Sequence, residues 1–264
     1  MVINMKDYSL HEFEEDLREL DIMLDEKQIM LFLNYYELLV EWNSFMNLTS
    51  IIDFNDVLKK HFIDSLCLVK GYGLINSNGG GLSSGDGESG GMKLDGIKLL
   101  DVGTGAGFPG IPLKIAFPHV KVTLLDSLQK RVKFLDEVIG SLGLDGIEAV
   151  HGRAEDYAKP DRLRGKYDLV VSRAVANLST LSEYCIPFVK KGGKFVCYKS
   201  EKVSEELVKA EKAIEILGGK VEKKVDYILP SSDIYRCLIV IDKVKNTPAR
   251  FPRKAGIPSK EPIL

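Results

Sequence analysis

Hydrophobic positions follow a helical period through the first 70 residues, and the period alternates between strand and helix after residue 97. Apolar residues recur at helical spacing over 10–20, over 27–46 and from about Asp53 to residue 70, which predicts three helices. Short apolar runs then predict strands at 97–102, 120–125, 147–150, 167–172, 193–198, 221–228 and 235–242. Amphipathic stretches between them predict helices at 109–117, 127–142, 177–188 and 203–217.

This alternation predicts an α/β fold in which a mostly parallel, seven-stranded sheet carries helices on both faces. In such sheets a ligand lies beyond the carboxyl ends of the strands, where the strand order reverses. The residues that directly follow the predicted strands should therefore face one crevice. They are Gly103, Asp126, 153–155, Arg173 and Lys199.

Composition divides the chain into four parts. Residues 1–75 form the predicted helical module, and 76–96 hold eight glycines and four serines, which is typical of a flexible linker. Residues 97–242 carry the sheet pattern. Residues 243–264 form a basic tail with six Lys or Arg residues and one acid.

Bulk properties favour a cytoplasmic globular protein. Hydrophobic residues make up 45% and charged residues 28% of the 264, and no apolar run approaches the roughly 20 residues that span a membrane. The N-terminus is acidic and lacks the basic start and apolar core of a signal peptide. The cysteines are scattered without a C-x-x-C pair, so we predict neither disulfides nor a metal site. They are Cys67, Cys185, Cys197 and Cys237.

The segment LLDVGTGAGFPG (99–110) is the strongest chemical signal in the chain. Glycines at 103, 105 and 107 follow a predicted strand, a pattern that brings bare backbone and a helix N-terminus against a nucleotide-like ligand. Residues 105–110 match the dinucleotide fingerprint G-x-G-x-x-G, with Asp126 placed to hold a ribose. Residues 101–107 also match acid-x-G-x-G-x-G, the loop of class I S-adenosylmethionine-dependent methyltransferases, which is the favoured interpretation. A glycine-rich turn without a ligand is the third possibility.

Longer motifs narrow the choice. The stretches FMNLTS (45–50), KHFIDS (60–65), LLDSLQKRVKFL (124–135), HGRAED (151–156), VVSRAVANL (170–178) and RKAG (253–256), with the glycine loop, closely resemble the RsmG family, also called GidB. The resemblance covers most of residues 30–256. It implies a helical N-terminus, a class I methyltransferase fold, and methylation of N7 of one guanine in 16S ribosomal RNA with S-adenosylmethionine as cofactor. The partner it implies is 16S rRNA or the small ribosomal subunit, and we expect a monomer.

The resemblance also implies roles for individual residues. Gly103 and Phe108 would contact the cofactor, Gly105 and Gly107 would shape the loop, and Asp126 would hold the ribose. Ala154 and Glu155 would border the adenine. The alternatives are a tight turn with a helix N-cap at Asp126 and an exposed loop acid at Glu155.

Arg173 is the candidate catalytic residue and would also border the cofactor. Enzymes that methylate exocyclic amines of bases commonly carry [DN]-P-P-[YF] after this strand, whereas this chain has SRAV at 172–175. N7 of guanine exposes an in-plane lone pair, so no general base is required and His61 is interpreted as structural. The Arg173 guanidinium could bind guanine O6 or a phosphate, and the alternative is an ion pair at the crevice rim.

Basic residues near the predicted crevice are candidates for phosphate contacts, and the alternative for each is a solvated face or end. The candidates are Lys130, Arg131, Arg153, Lys199, Arg253 and Lys254.

Overall fold

The apolar runs after Ile97 form seven strands of one sheet in the computed structural model, which describes residues 8–71, 96–173, 176–200 and 203–264. The strands are β1 (Lys98–Val102), β2 (Lys121–Asp126), β3 (Ile147–His151), β4 (Tyr167–Arg173), β5 (Val189–Lys199), β6 (Gly219–Ile228) and β7 (Tyr235–Lys243). Their order is β3-β2-β1-β4-β5-β7-β6, with β1 to β5 parallel and β7 antiparallel to both of its neighbours. The predicted fold class is confirmed.

Helices cover both faces of the sheet. They are α1 (His11–Glu19), α2 (Glu26–Met46), α3 (Phe54–Val57), α4 (Asp64–Leu66), α5 (Gly110–Ala116), α6 (Gln129–Leu142), α7 (Ala154–Tyr157), α8 (Leu178–Cys185), α9 (Val203–Ile216) and α10 (Ile257–Lys260). A π-helical turn, Leu58–Ile63, joins α3 to α4, and a 3-10 turn, Ile186–Phe188, ends the helix predicted at 177–188. Successive β1 residues Leu99 and Leu100 belong to the two separate cores, as the alternation of side chains along a strand requires.

The N-terminal helices pack directly on the sheet domain and share its core. Phe32 and Phe62 are fully buried in the same cluster as Leu99 of β1. The amide of Gln28, which also completes the capping box of α2, donates a 2.8 Å hydrogen bond to the carbonyl of Ile115 in α5. This packing brings the π-helical turn to the carboxyl edge of the sheet. Residues 76–95 of the predicted linker lie outside the described residues.

The C-terminal residues also pack on the domain, which differs from the expectation of a solvated end or a free basic arm. Phe251 and Pro258 are buried. The guanidinium of Arg164 donates to the carbonyls of Phe251 (2.6 Å) and Pro248 (3.1 Å), and the Thr180 hydroxyl donates to the carbonyl of Pro258 at 3.0 Å. The position of the tail therefore depends on its apolar side chains and on the hydrogen bonds that its backbone carbonyls accept. A count of charges ignores both.

Within the described residues, none of the helices combines the length and the apolar character needed to cross a membrane. The four cysteines are free and buried.

Candidate active site

The glycine loop after β1 adopts backbone conformations that L side chains rarely reach. The φ angles are +71° at Gly103, +63° at Gly105 and +99° at Gly107. A Cβ on Gly107 would lie 2.5 Å from Ile111 and 2.7 Å from the Tyr35 hydroxyl, so this glycine is required by packing. A Cβ on Gly105 would meet nothing within 4 Å. The loop therefore presents open backbone at Gly105, as a bound ligand requires.

Asp101 braces this loop from inside the protein. Its side chain is fully buried, and one carboxylate oxygen accepts hydrogen bonds from the Thr104 hydroxyl (2.6 Å) and the Gly110 amide (2.9 Å). The other oxygen has no partner among the described residues. Burial raises the pKa of Asp101 to about 7. Asp101 thus shapes the loop and does not itself reach a ligand.

Asp126 ends β2 beside the open part of the loop. Its two carboxylate oxygens accept hydrogen bonds from the amides of Gly105 and Leu128, each at 2.9 Å, and Arg131 lies 3.5 Å away. A carboxylate can accept about four hydrogen bonds, so these contacts orient the group without exhausting it. The bond from the Leu128 amide forms a tight turn, which is the alternative role of Asp126. The arrangement also leaves acceptor capacity beside Gly105 for ribose hydroxyls.

Phe108 lies between the loop and the N-terminal helices. The ring of His61 stacks on it with centroids 4.5 Å apart, and the guanidinium carbon of Arg173 lies over the same ring, 5.0 Å from its centroid. Phe108 is only 6% exposed. The residue that the resemblance places against the cofactor is therefore part of a stack that joins the glycine loop to the helical module.

Arg173 ends β4 and is held by the π-helical turn and α4. Its Nη1 donates to the carbonyl of Lys60 (3.1 Å) and to the carboxylate of Asp64 (3.0 Å), and its Nη2 donates to Nδ1 of His61 at 3.2 Å. Asp64 also lies 3.3 Å from Nε of Arg236 in β7. The Arg173 side chain keeps 14% of its surface exposed at the carboxyl edge of the sheet.

His61 is uncharged in this environment. Because Arg173 can only donate, Nδ1 of His61 is the acceptor, and the ring proton lies on Nε2, 2.9 Å from the Thr49 hydroxyl. Burial, together with the charge of Arg173, lowers the pKa of His61 to about 3. The structural interpretation of His61 agrees with these contacts, since both ring nitrogens are engaged.

The adenine side of the predicted site has an unforeseen partner. Ala154 and Glu155 are buried at the start of α7, as a cofactor wall would be, but the Glu155 carboxylate accepts the amide of Gly256 at 2.9 Å. In this structure Glu155 is buried and is therefore not the exposed loop acid that was the alternative, and its contact with Gly256 occupies one carboxylate oxygen. It fastens the C-terminal segment to α7.

The six basic candidates fall into two groups. Lys130, Arg153 and Lys254 are exposed, although the Lys130 ammonium also donates to the carbonyl of Met46 at 3.2 Å. The other three are held in ion pairs: Arg131 with Asp126, Lys199 with Glu206 (2.7 Å) and Arg253 with Glu183 (2.7 Å). The Arg253 pair differs most from the expectation of a phosphate contact, because Glu183 is 1% exposed and accepts both the guanidinium and the Arg253 amide.

Sequence reasoning did not assign Asp64 or Arg236. The available signal for Asp64 was an acid inside the apolar stretch KHFIDSLCL (60–68), where an unpaired carboxylate would be costly and a cationic partner is therefore required. Its partners lie more than 100 residues away in β4 and β7, and no local pattern identifies them.

Together, the strand order, the open glycine loop after β1 and the acid at the end of β2 define a class I methyltransferase fold. A crystal structure of an MtNAS mutant has the same fold, with a TM-score of 0.51 and 16% identity, over 88% of this chain and 82% of that one.

Sequence comparison identifies the family. The profile of GidB, described as rRNA small subunit methyltransferase G, matches residues 28–87 and 89–231. The ribosomal RNA small subunit methyltransferase G of Lachnoclostridium phytofermentans is 52% identical over 252 residues, 96% of each chain. That of Lactococcus lactis subsp. cremoris is 46% identical over 252 residues, 96% of this chain and 98% of the relative. The chain belongs to the GidB family of rRNA small subunit methyltransferases G.

Proposed function

We propose that this protein transfers a methyl group from S-adenosylmethionine to N7 of a specific guanine in 16S ribosomal RNA, as a monomer in the cytoplasm. The observation that carries the proposal is the convergence of three groups at one edge of the sheet: the open backbone at Gly105, the carboxylate of Asp126 and the guanidinium of Arg173. Family membership supports the substrate class. It also disfavours the alternatives of a dinucleotide-dependent oxidoreductase and a small-molecule methyltransferase.

Residues of the loop and of the neighbouring strand ends would hold the cofactor. Gly103 and Gly105 allow close backbone approach, Asp126 offers acceptors to the ribose, and Ala154 borders the adenine side. Bound S-adenosylmethionine supplies a methyl group on a positively charged sulfur: the N7 lone pair forms the new N–C bond, the S–C bond breaks, and the positive charge passes to the purine.

The protein's own part in this reaction is positioning. N7 has no proton to lose, and His61, neutral with both nitrogens bonded, is not needed as a base. Holding two reactants in line can contribute about 7–11 kcal/mol to catalysis. Arg173 would serve this purpose by binding guanine O6 or an adjacent phosphate, which leaves N7 free.

The exposed cations are the stronger candidates for RNA contacts. Lys130, Arg153 and Lys254 can meet a phosphate without losing an ion pair. Arg131, Lys199 and Arg253 would first have to leave a carboxylate.

The test is transfer of labelled methyl groups to small ribosomal subunits that lack the modification, with the modified base mapped. Methylation of guanine N7 at one position is the expected result. A thermal shift with S-adenosylhomocysteine and with NAD tests the cofactor, because a ligand at 100 times its Kd stabilises by about 2.7 kcal/mol. Stabilisation by NAD alone, or no transfer to the subunit or its RNA, would contradict the proposal.

A further inference from the structure

We propose that Asp64 is the positioning residue of Arg173: it holds one side of the guanidinium so that the opposite edge faces the substrate. The inference rests on the proposed function, in which Arg173 binds the target guanine or its phosphate. Asp64 lies in the helical module, 109 residues before Arg173, and no motif in the glycine loop or the strand ends points to it.

The contacts of Arg173 are one-sided. An arginine has five N–H donors. Both donors of Nη1 are used, by the carbonyl of Lys60 and by Asp64, and one donor of Nη2 is used by His61. The Nε–H and the second Nη2–H have no hydrogen-bond partner among the described residues. Because Nε and Nη2 share one edge of the guanidinium, they form a two-pronged donor that suits two oxygens of a phosphate, or O6 of guanine alone, since a fork onto O6 and N7 would block the methyl acceptor.

Asp64 supplies the charged group among the contacts that hold the Arg173 guanidinium, which are made by the Lys60 carbonyl, His61, Asp64 and Phe108. The Asp64 side chain is 5% exposed, and its two oxygens face two arginines, Arg173 at 3.0 Å and Arg236 at 3.3 Å. One carboxylate therefore faces two guanidinium groups. The second cation attracts a phosphate or a purine O6 to this edge of the sheet.

His61 and Phe108 also contact the Arg173 guanidinium. His61 accepts from Nη2 and stacks on Phe108, and the guanidinium lies over the same phenyl ring. The N-terminal helices therefore orient the Arg173 side chain, whereas β4 fixes only the position of its backbone. A bidentate contact to the substrate depends on that orientation within fractions of an ångström.

The experiment is a double-mutant cycle on single-turnover methyl transfer, with saturating cofactor and unmodified small subunits. Asp64→Asn should slow transfer by about 100-fold, the scale expected when a positioned group shifts by about 1 Å. Affinity for S-adenosylhomocysteine should be unchanged. In the Arg173→Ala background, Asp64→Asn should have no further effect, because the residue acts through Arg173. Equal slowing in both backgrounds would overturn the inference.

Two further variants separate positioning from stability. Asp16→Asn removes another buried carboxylate of the helical module, which pairs with Lys59 and makes no contact with Arg173 among the described residues. It should lower stability and leave the transfer rate unchanged. His61→Asn keeps an acceptor where Nδ1 lies and should retain most of the rate that His61→Ala loses. If Asp64→Asn does not fold, the comparison of His61→Asn with His61→Ala tests the inference instead. An equal loss of transfer rate in the two His61 variants would overturn it. A wild-type enzyme that does not methylate guanine N7 would instead refute the proposed function.

Discussion

The Glu155 carboxylate accepts a 2.9 Å hydrogen bond from the backbone amide of Gly256, 101 residues further along the chain. This contact joins the predicted adenine wall to the C-terminal segment. A second link lies close by, where Arg253 binds Glu183 through its backbone amide and its guanidinium. Two buried carboxylates therefore hold the C-terminal segment against α7 and α8.

Arg253→Ala should destabilise the protein by about 3–5 kcal/mol, because it leaves the buried Glu183 carboxylate without its cation. Urea unfolding measures the loss. The matched control is Lys254→Ala at the adjacent exposed position, which should change stability by less than about 0.5 kcal/mol. If Arg253→Ala is as stable as the wild type but binds RNA more weakly, Arg253 contacts a phosphate, as the sequence predicts.

Asp126→Ala should weaken binding of S-adenosylhomocysteine at least about tenfold, equivalent to 1.4 kcal/mol, which is within the range for a lost charged hydrogen bond. Calorimetric titration measures the affinity. Because Asp126 also bonds the amides of Gly105 and Leu128, circular dichroism must show that the variant is folded. Asp126→Asn keeps acceptor oxygen for part of these contacts and should lose less. An unchanged affinity in the folded alanine variant would remove Asp126 from the cofactor site.

Lys130→Gln and Lys254→Gln should each reduce the slope of log affinity for RNA against log salt by about one unit, if each cation neutralises one phosphate. Affinity for S-adenosylhomocysteine should not change. Lys121→Gln is the control, because Lys121 is an exposed cation at the opposite end of β2 from Asp126. The same slope in wild type and in both variants would place the RNA surface elsewhere.

His61 should make stability fall as the solution becomes acidic. Its pKa is about 3 in the folded protein against an ordinary value of 6.5, so the unfolded chain binds more protons between these values and stability is lost as pH falls through this window. Between pH 6.5 and pH 5, this effect of His61 lowers the free energy of unfolding by about 2 kcal/mol.

Urea unfolding of wild type and His61→Asn across this range isolates the effect. Asp101, with its pKa raised to about 7, favours folding at lower pH and thus opposes His61, but it is present in both proteins. The difference between the two curves should therefore shrink as the pH falls. Parallel curves would show that His61 titrates normally in the folded state.

The sequence alone predicts the features that depend on near neighbours. Gly103, Gly105 and Gly107 indicate the loop because only glycine readily adopts its positive φ angles, and an acid at the end of the next strand follows from the same local pattern. The strand and helix periods predict the α/β class. The longer motifs identify the family, since their combination is far more specific than the loop.

Tertiary structure determines which charged side chains are paired within the protein and which are free to contact a ligand. Arg253 and Lys254 are neighbours in a basic tail, yet Arg253 is paired with the buried Glu183 and Lys254 is exposed. Arg173 has three partners in the helical module, more than 100 residues earlier in the chain. An ion pair forms where packing brings two desolvated groups together, and burial makes the partner obligatory. Composition and spacing record the charges themselves, whereas only the folded chain determines their partners.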